Sequence, residues 1–123
     1  MPMLGNLMEV ILYVEDMNRQ VAFYRDRLGL AVSYPTDVED YSEVVWVTLD
    51  TGPCTLALHG GGRRRLGDDA PKIVFQVDNI ETAHRQLGER GVTLGEIRPA
   101  APGVRVADGL DPEGNKFSIE SHD

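Results

Sequence analysis

Leu7-Met8-Glu9-Val10-Ile11-Leu12-Tyr13-Val14-Glu15-Asp16-Met17 is echoed further along the chain by Lys72-Ile73-Val74-Phe75-Gln76-Val77-Asp78-Asn79-Ile80. At one constant offset Ile11 falls on Val74, Val14 on Val77, Glu15 on Asp78, Asp16 on Asn79 and Met17 on Ile80. Both stretches are rich in β-formers, so each predicts a strand. Each then runs into a side chain suited to an N-cap, Asp16 in the first copy and Asp78 or Asn79 in the second, which predicts a helix after each strand. Met17, Val21, Tyr24 and Leu28 lay one apolar stripe along the first helix, and Ile80, Ala83 and Leu87 do so along the second. Gly29 and Gly91 follow where a helix end needs positive φ.

Each glycine leads into a further strand, residues 30–34 and 92–98. Two more strands complete each copy, at 43–50 and 54–59 and at about 103–109 and 115–121. The turns between them, Asp50-Thr51-Gly52-Pro53 and Asp111-Pro112-Glu113-Gly114, share Gly/Pro/Asp turn chemistry. The order is βαβββ twice: a first module over 1–60, a glycine-rich linker over 60–71 and a second module over 72–123.

A chain of 123 residues fits one domain built of these two modules. With 41% hydrophobic and 26% charged residues the composition is globular, which excludes a disordered tail protein. No apolar run approaches the roughly 20 residues of a bilayer span, and the N-terminus lacks a basic leader, so the expected location is the cytoplasm with no membrane partner. A formal charge of −8 argues against nucleic acid as a partner, and Arg63-Arg64-Arg65 between glycines reads as a solvated loop. The single cysteine, Cys54, excludes an internal disulfide and a thiolate metal cluster, and reads as a buried inert thiol in a strand.

The repeat, together with Phe23-Tyr24-Arg25-Asp26 before Leu28-Gly29-Leu30 and with Asp111-Pro112-Glu113-Gly114-Asn115 near the end, resembles the vicinal oxygen chelate family of glyoxalases, bleomycin-resistance proteins and extradiol dioxygenases. The resemblance covers residues 7–121. It implies an α+β fold in which two tandem βαβββ modules form an open, curled eight-stranded mixed sheet around a ligand-binding cleft, helices outside. It also implies a homodimer.

Strand parity adds which side chains share a face. Val10, Leu12 and Val14 meet the helix, while Glu9, Ile11 and Tyr13 face the concave side, as do Lys72, Val74 and Gln76. Aligned to the family, Thr55, Ala57 and His59 and then Lys116, Ser118 and Glu120 join them.

Metal-dependent members take one ligand from each of four strands, and the resemblance puts those positions at Glu9, Ala57, Lys72 and Ser118. Alanine has no donor, serine is a poor neutral ligand, and Lys72 places an ammonium where a cation belongs. At about 4 Å and an effective dielectric of about 20, two unit charges interact by about 4 kcal/mol, so Lys72 repels a divalent ion by about twice that. The expectation is a site without a metal cofactor, with Glu9 and Lys72 as a clamp between the copies or as candidate catalytic acid and base.

Tyr13, Trp46, His59, Gln76, Arg105, Ser118 and Glu120 are the candidate ligand-binding residues. Tyr13 and Trp46 offer stacking surfaces, and Arg105 a counter-charge for an anion. His84 and His122 read as structural and inert. The acidic, aromatic segment 35–43, with Tyr34, Asp37, Glu39, Asp40, Tyr41 and Glu43, is either a lid or an exposed loop. The expected function is binding of a small organic molecule, for which the acidic balance suits a cationic ligand. The alternative is a metal-dependent lyase, isomerase or dioxygenase holding Zn, Ni, Fe or Mn through Glu9, His59 and Glu120.

Overall fold

The computed structural model describes Met3 and residues 7–61 and 71–123, so Arg63-Arg64-Arg65 and most of the expected linker lie outside the described residues. The chain divides into two compact units, Met1–Arg64 and Arg65–Asp123. Among the described residues the order is β1 (Glu9–Val14), α1 (Met17–Val21) running into a π-helical segment (Ala22–Arg27), β2 (Ala31–Tyr34), β3 (Trp46–Asp50) and β4 (Thr55–Gly60) in the first unit. The second holds β5 (Lys72–Gln76), α2 (Ile80–Glu89), β6 (Arg98–Ala101), β7 (Val104–Leu110) and β8 (Lys116–His122). This is the βαβββ order twice, in an α+β fold.

Each unit has its own four-stranded mixed sheet, ordered β1-β4-β3-β2 and β5-β8-β7-β6. The first strand of each module lies parallel to its last, and the remaining neighbours are antiparallel. The parallel pair puts the helical crossover on one side of the sheet.

Both helices begin as the caps predict. Asp16 accepts from the Arg19 N–H at 3.1 Å, and Asn79, rather than Asp78, accepts from the Thr82 N–H at 2.9 Å. They end on Gly29 at φ 82° and Gly91 at φ 89°, a region glycine enters without a Cβ penalty. The two ends differ by one residue of hydrogen bonding. In the second, Val92 N–H reaches Leu87 O, five residues back, at 2.9 Å; in the first, Leu30 N–H reaches Tyr24 O, six back, at 3.0 Å. The π turn supplies the extra residue. It lets the consecutive Phe23 and Tyr24 both bury, their rings edge-on at 5.1 Å and 89°.

The apolar faces of the sheets meet the helices as parity predicts. Val14, Val47, Leu49, Leu56 and Leu58 bury with Met17, Val21 and Tyr24 in the first unit. In the second, Ile80, Ala107 and Ile119 form the centre, with Val77, Ala83, Leu87, Leu94 and Ile97 against it.

One expected strand is misplaced: the regular strand begins at Arg98, not Val92. Leu94 makes only an isolated bridge to Gly109, and Gly95 N–H donates to Asp108 O at 2.8 Å. Leu94 and Ile97 both pack on the core, and a spacing of three is incompatible with the strand period of two. His84 braces this irregular segment through Gly95 O at 2.9 Å, which is the structural part expected of it. Cys54 also precedes its strand and is only half-buried, with Sγ 4.0 Å from Thr55 O.

The 35–43 segment is tied down at its far end. Asn18 of α1 donates to Asp40 at 2.9 Å and accepts from the Tyr41 N–H at 2.7 Å. Tyr41 is buried, and Arg25 stands over its ring at 5.8 Å. The Asn18 amide, then the Ser42 N–H, lower the Asp40 pKa.

Candidate functional site

Opposite its helix, each sheet presents a second face. On the first unit the register places Glu9 opposite Thr55, Ile11 opposite Ala57 and Tyr13 opposite His59, with Trp46 on the other side of His59. Paired residues project to the same face. Tyr13, His59 and Trp46 therefore stand in one row across β1, β4 and β3. His59 packs against Tyr13 at 5.4 Å and meets Trp46 edge-on at 5.8 Å and 84°. Its Nδ1 lies 2.9 Å from Gly60 O; a carbonyl only accepts, so Nδ1 is the donor of this bond. Tyr13 is 45% exposed, so a flat molecule has ring surface to rest on. Three of the expected ligand-binding residues are thus brought together.

Of the four positions that the resemblance assigned to metal ligands, Glu9 and Ala57 lie on this sheet. Ala57 is buried, with only a methyl group to offer. Glu9 and His59 share a face but sit four residues apart in register, about 13 Å along the sheet at about 3.3 Å per residue. Metal–ligand bonds are about 2.0–2.3 Å, so both side chains would have to lean far towards each other to share one ion. Among the described residues no group of three or more His, Cys, Asp or Glu is placed to hold a metal ion.

On the second unit the open face carries Lys72, Val74 and Gln76 of β5, Lys116, Ser118 and Glu120 of β8, Val106, Asp108 and Leu110 of β7, and Arg98 of β6. Gln76 is opposite Glu120, which receives His122 Nε2 at 2.8 Å. The centre of this face is Asp108, which sequence reasoning missed. Ser118 donates to its Oδ1 at 2.5 Å, Lys72 Nζ lies 3.4 Å from the same oxygen, and Arg98 Nη2 donates to Oδ2 at 2.7 Å. One side chain from each of the other three strands meets at this carboxylate. Its position directly across from Ser118 was the available signal, but it needs the β7–β8 register, which the sequence does not print.

Ser118 and Lys72, two of the positions expected from the resemblance, are therefore engaged with an anion inside their own unit. The Ser118 hydroxyl, then the Arg98 guanidinium, push the Asp108 pKa down to about 2. A depressed folded pKa stabilises above the unfolded value near 4 and is lost as pH falls through about 2. In Asp108→Asn the loss of stability between about pH 4 and 2 should accordingly be shallower than in wild type. Chemical denaturation at steps across that window measures it, and equally steep limbs would assign the acid sensitivity to other carboxylates.

Arg105 stands apart from the other expected ligand-binding residues. It shares the parity of Ala107 and so projects to the helix side, where it pairs with Glu81 of α2 and lies 3.4 Å from Asp123. The Glu81 carboxylate, chiefly, raises the Arg105 pKa, and the same hydrogen bond lowers that of Glu81. Its charge is spent holding helix to sheet. The Asp111–Asn115 turn is likewise internal: Asp111 accepts from the Glu113 and Asn115 N–H groups at 2.9 Å and from Asn115 Nδ2 at 2.7 Å.

Known proteins resemble this chain in sequence or in fold. The uncharacterized protein YraH of Bacillus subtilis is 27% identical over 92% of this chain and 95% of its own. A probable carboxypeptidase of Aspergillus clavatus is 32% identical over 74% of this chain, which spans only 20% of that protein's length. Among solved structures, the antibiotic binding protein TnmS3 from Streptomyces sp. CB03234 superposes at a TM-score of 0.78 with 18% identity over the whole of both chains. A glyoxalase/bleomycin resistance protein/dioxygenase superfamily member from Sphaerobacter thermophilus does so at 0.76, with 22% identity over 98% of this chain and 100% of its own. The Glyoxalase/Bleomycin resistance protein/Dioxygenase superfamily profile matches residues 6–119, so nearly the whole chain, both modules included, belongs to that superfamily.

Proposed function

We propose that this chain is a binding module of the superfamily that holds a small, flat organic molecule against Tyr13, Trp46 and His59, without the divalent metal used by other members. The observation that carries the reading is the chemistry at the family's ligand positions: a buried methyl at Ala57, a Ser118 hydroxyl donated to Asp108, and a Lys72 ammonium on the same carboxylate. Such positions repel or ignore a cation rather than hold one. The aromatic row supplies what a binding protein needs instead, exposed ring faces fixed by a rigid sheet. The fold shared with an antibiotic binding protein fits this reading. The four-residue register offset between Glu9 and His59 weighs against the metal-enzyme alternative through Glu9, His59 and Glu120.

The test is metal analysis of protein purified without chelator, beside Glu9→Gln and His59→Ala. Substoichiometric metal in all three is the expected result; stoichiometric Zn, Ni, Fe or Mn that both substitutions abolish would overturn the reading. A panel of flat aromatic compounds should raise the unfolding temperature of wild type through mass-action linkage. Trp46→Ala should respond less than wild type to the same compounds.

A further inference from the structure

Cations on the open face of the second unit outnumber the anion that holds them. Lys72 and Arg98 share one carboxylate, Asp108, giving that trio a net charge of one positive. A guanidinium has five N–H donors and an ammonium three. Among the described residues only one contact from each reaches an acceptor, Nη2 of Arg98 and Nζ of Lys72, both on Asp108. Their side chains are 53% and 39% exposed, so the remaining donors face outward. Arg105, on the other face of the same sheet, has the reverse arrangement, one cation between the two carboxylates Glu81 and Asp123. The surplus is therefore local to the open face, in a chain whose formal charge is −8.

Exposed apolar surface adjoins that surplus. Val74 lies in the same cross-strand row as Ser118 and Asp108, and Leu110 in the row of Lys116 and Lys72. They are 47% and 60% exposed. We infer that Lys72 and Arg98 hold the carboxylate of a small organic acid whose apolar body rests on Val74 and Leu110. A second carboxylate brings the trio to neutrality, and an Arg fork favours a planar oxyanion over a spherical one. Asp108 is the positioning residue, holding both cations at one point of the sheet. The inference rests on the binding reading above, that this chain takes small organic molecules, and gives the open face of the second unit a ligand of stated chemical class. It reverses the cationic ligand expected from net charge, because net charge does not say where charge sits.

Titration of the methyl-labelled full chain with hexanoate, hexylamine and inorganic phosphate, followed by NMR, tests it. Hexanoate should shift the Val74 and Leu110 methyl signals saturably, and hexylamine should not. Lys72→Gln and Arg98→Gln should each weaken hexanoate binding by about tenfold or more, while Arg85→Gln, on α2, leaves it unchanged. No saturable shift of those methyls, or one that both substitutions leave intact, overturns the proposal. Phosphate binding as tightly as hexanoate overturns the apolar body. Circular dichroism confirms that each variant folds, and metal content, measured separately, reports on the binding reading whatever the titration shows.

Discussion

Phe117→Ala is expected to lower the free energy of unfolding by about 3–5 kcal/mol, the range for truncating a fully buried phenylalanine. Phe117 has no exposed surface and stands on the helix side of β8, between the two residues, Lys116 and Ser118, that face the candidate site. Its ring lies over Gly109 on β7: a Cβ added there would sit 2.8 Å from Cζ and 3.0 Å from Cε1 of Phe117, and 3.2 Å from Leu94. Phe75 meets the same ring at 6.4 Å from the other neighbouring strand. Glycine and phenylalanine thus form one packing unit, in which the missing side chain of one makes room for the ring of the other. Gly109→Ala alone should cost about 1–3 kcal/mol through overpacking, and less in the Phe117→Ala background, where the methyl enters the vacated space. Urea denaturation of the two single variants and the double closes this cycle. Additive losses would mean that ring and glycine do not share the space.

The candidate site was legible to the extent that it follows from period and repeat. Glu9, Tyr13, Lys72 and Gln76 stand on the faces that alternation assigned them, because one helix-covered face fixes the parity of a whole strand, and His59, Ser118 and Glu120 share those faces as the resemblance implied. What parity cannot give is the partner across the ladder. Lys72 was read against Glu9, its equivalent in the other copy, yet in the structure it lies on Asp108, two strands away in its own sheet. Arg105 was read as a counter-charge for ligand although its parity, that of Ala107, already turned it towards α2. The strand expected at 92–98 failed for a related reason: it was expected from its place after Gly91, but the spacing of Leu94 and Ile97, both packed on the core, is that of an irregular segment. The π turn left no sequence signal beyond two adjacent aromatics.

Asp111→Ala should destabilise by about 2–4 kcal/mol, since it removes a carboxylate acceptor and strands the N–H groups it serves. Both Asp111 and Asn115 are buried, and one carboxylate oxygen takes the backbone N–H of Glu113 and of Asn115 while the other takes the Asn115 amide. The backbone closes the same turn through Asp111 N–H to Asn115 O, at 2.9 Å, and through Gly114 at φ 85°. The corresponding turn of the first module is built more lightly. Asp50 is exposed and its carboxylate takes the Gly52 N–H at 2.9 Å, so Asp50→Ala should cost about 1 kcal/mol or less. Asp111→Asn keeps an acceptor for the two backbone donors but sets one amide against another at Asn115, and should fall between the two. Guanidinium denaturation of the three variants ranks them, and a loss at Asp111 no larger than at Asp50 would sink the argument. The ranking also bears on function. Asp111 carries part of the family resemblance yet turns all its described bonds inward, to hold β7 against β8, so its place in the motif reflects what the open face of that sheet needs beneath it: a fixed register between Asp108 and Ser118.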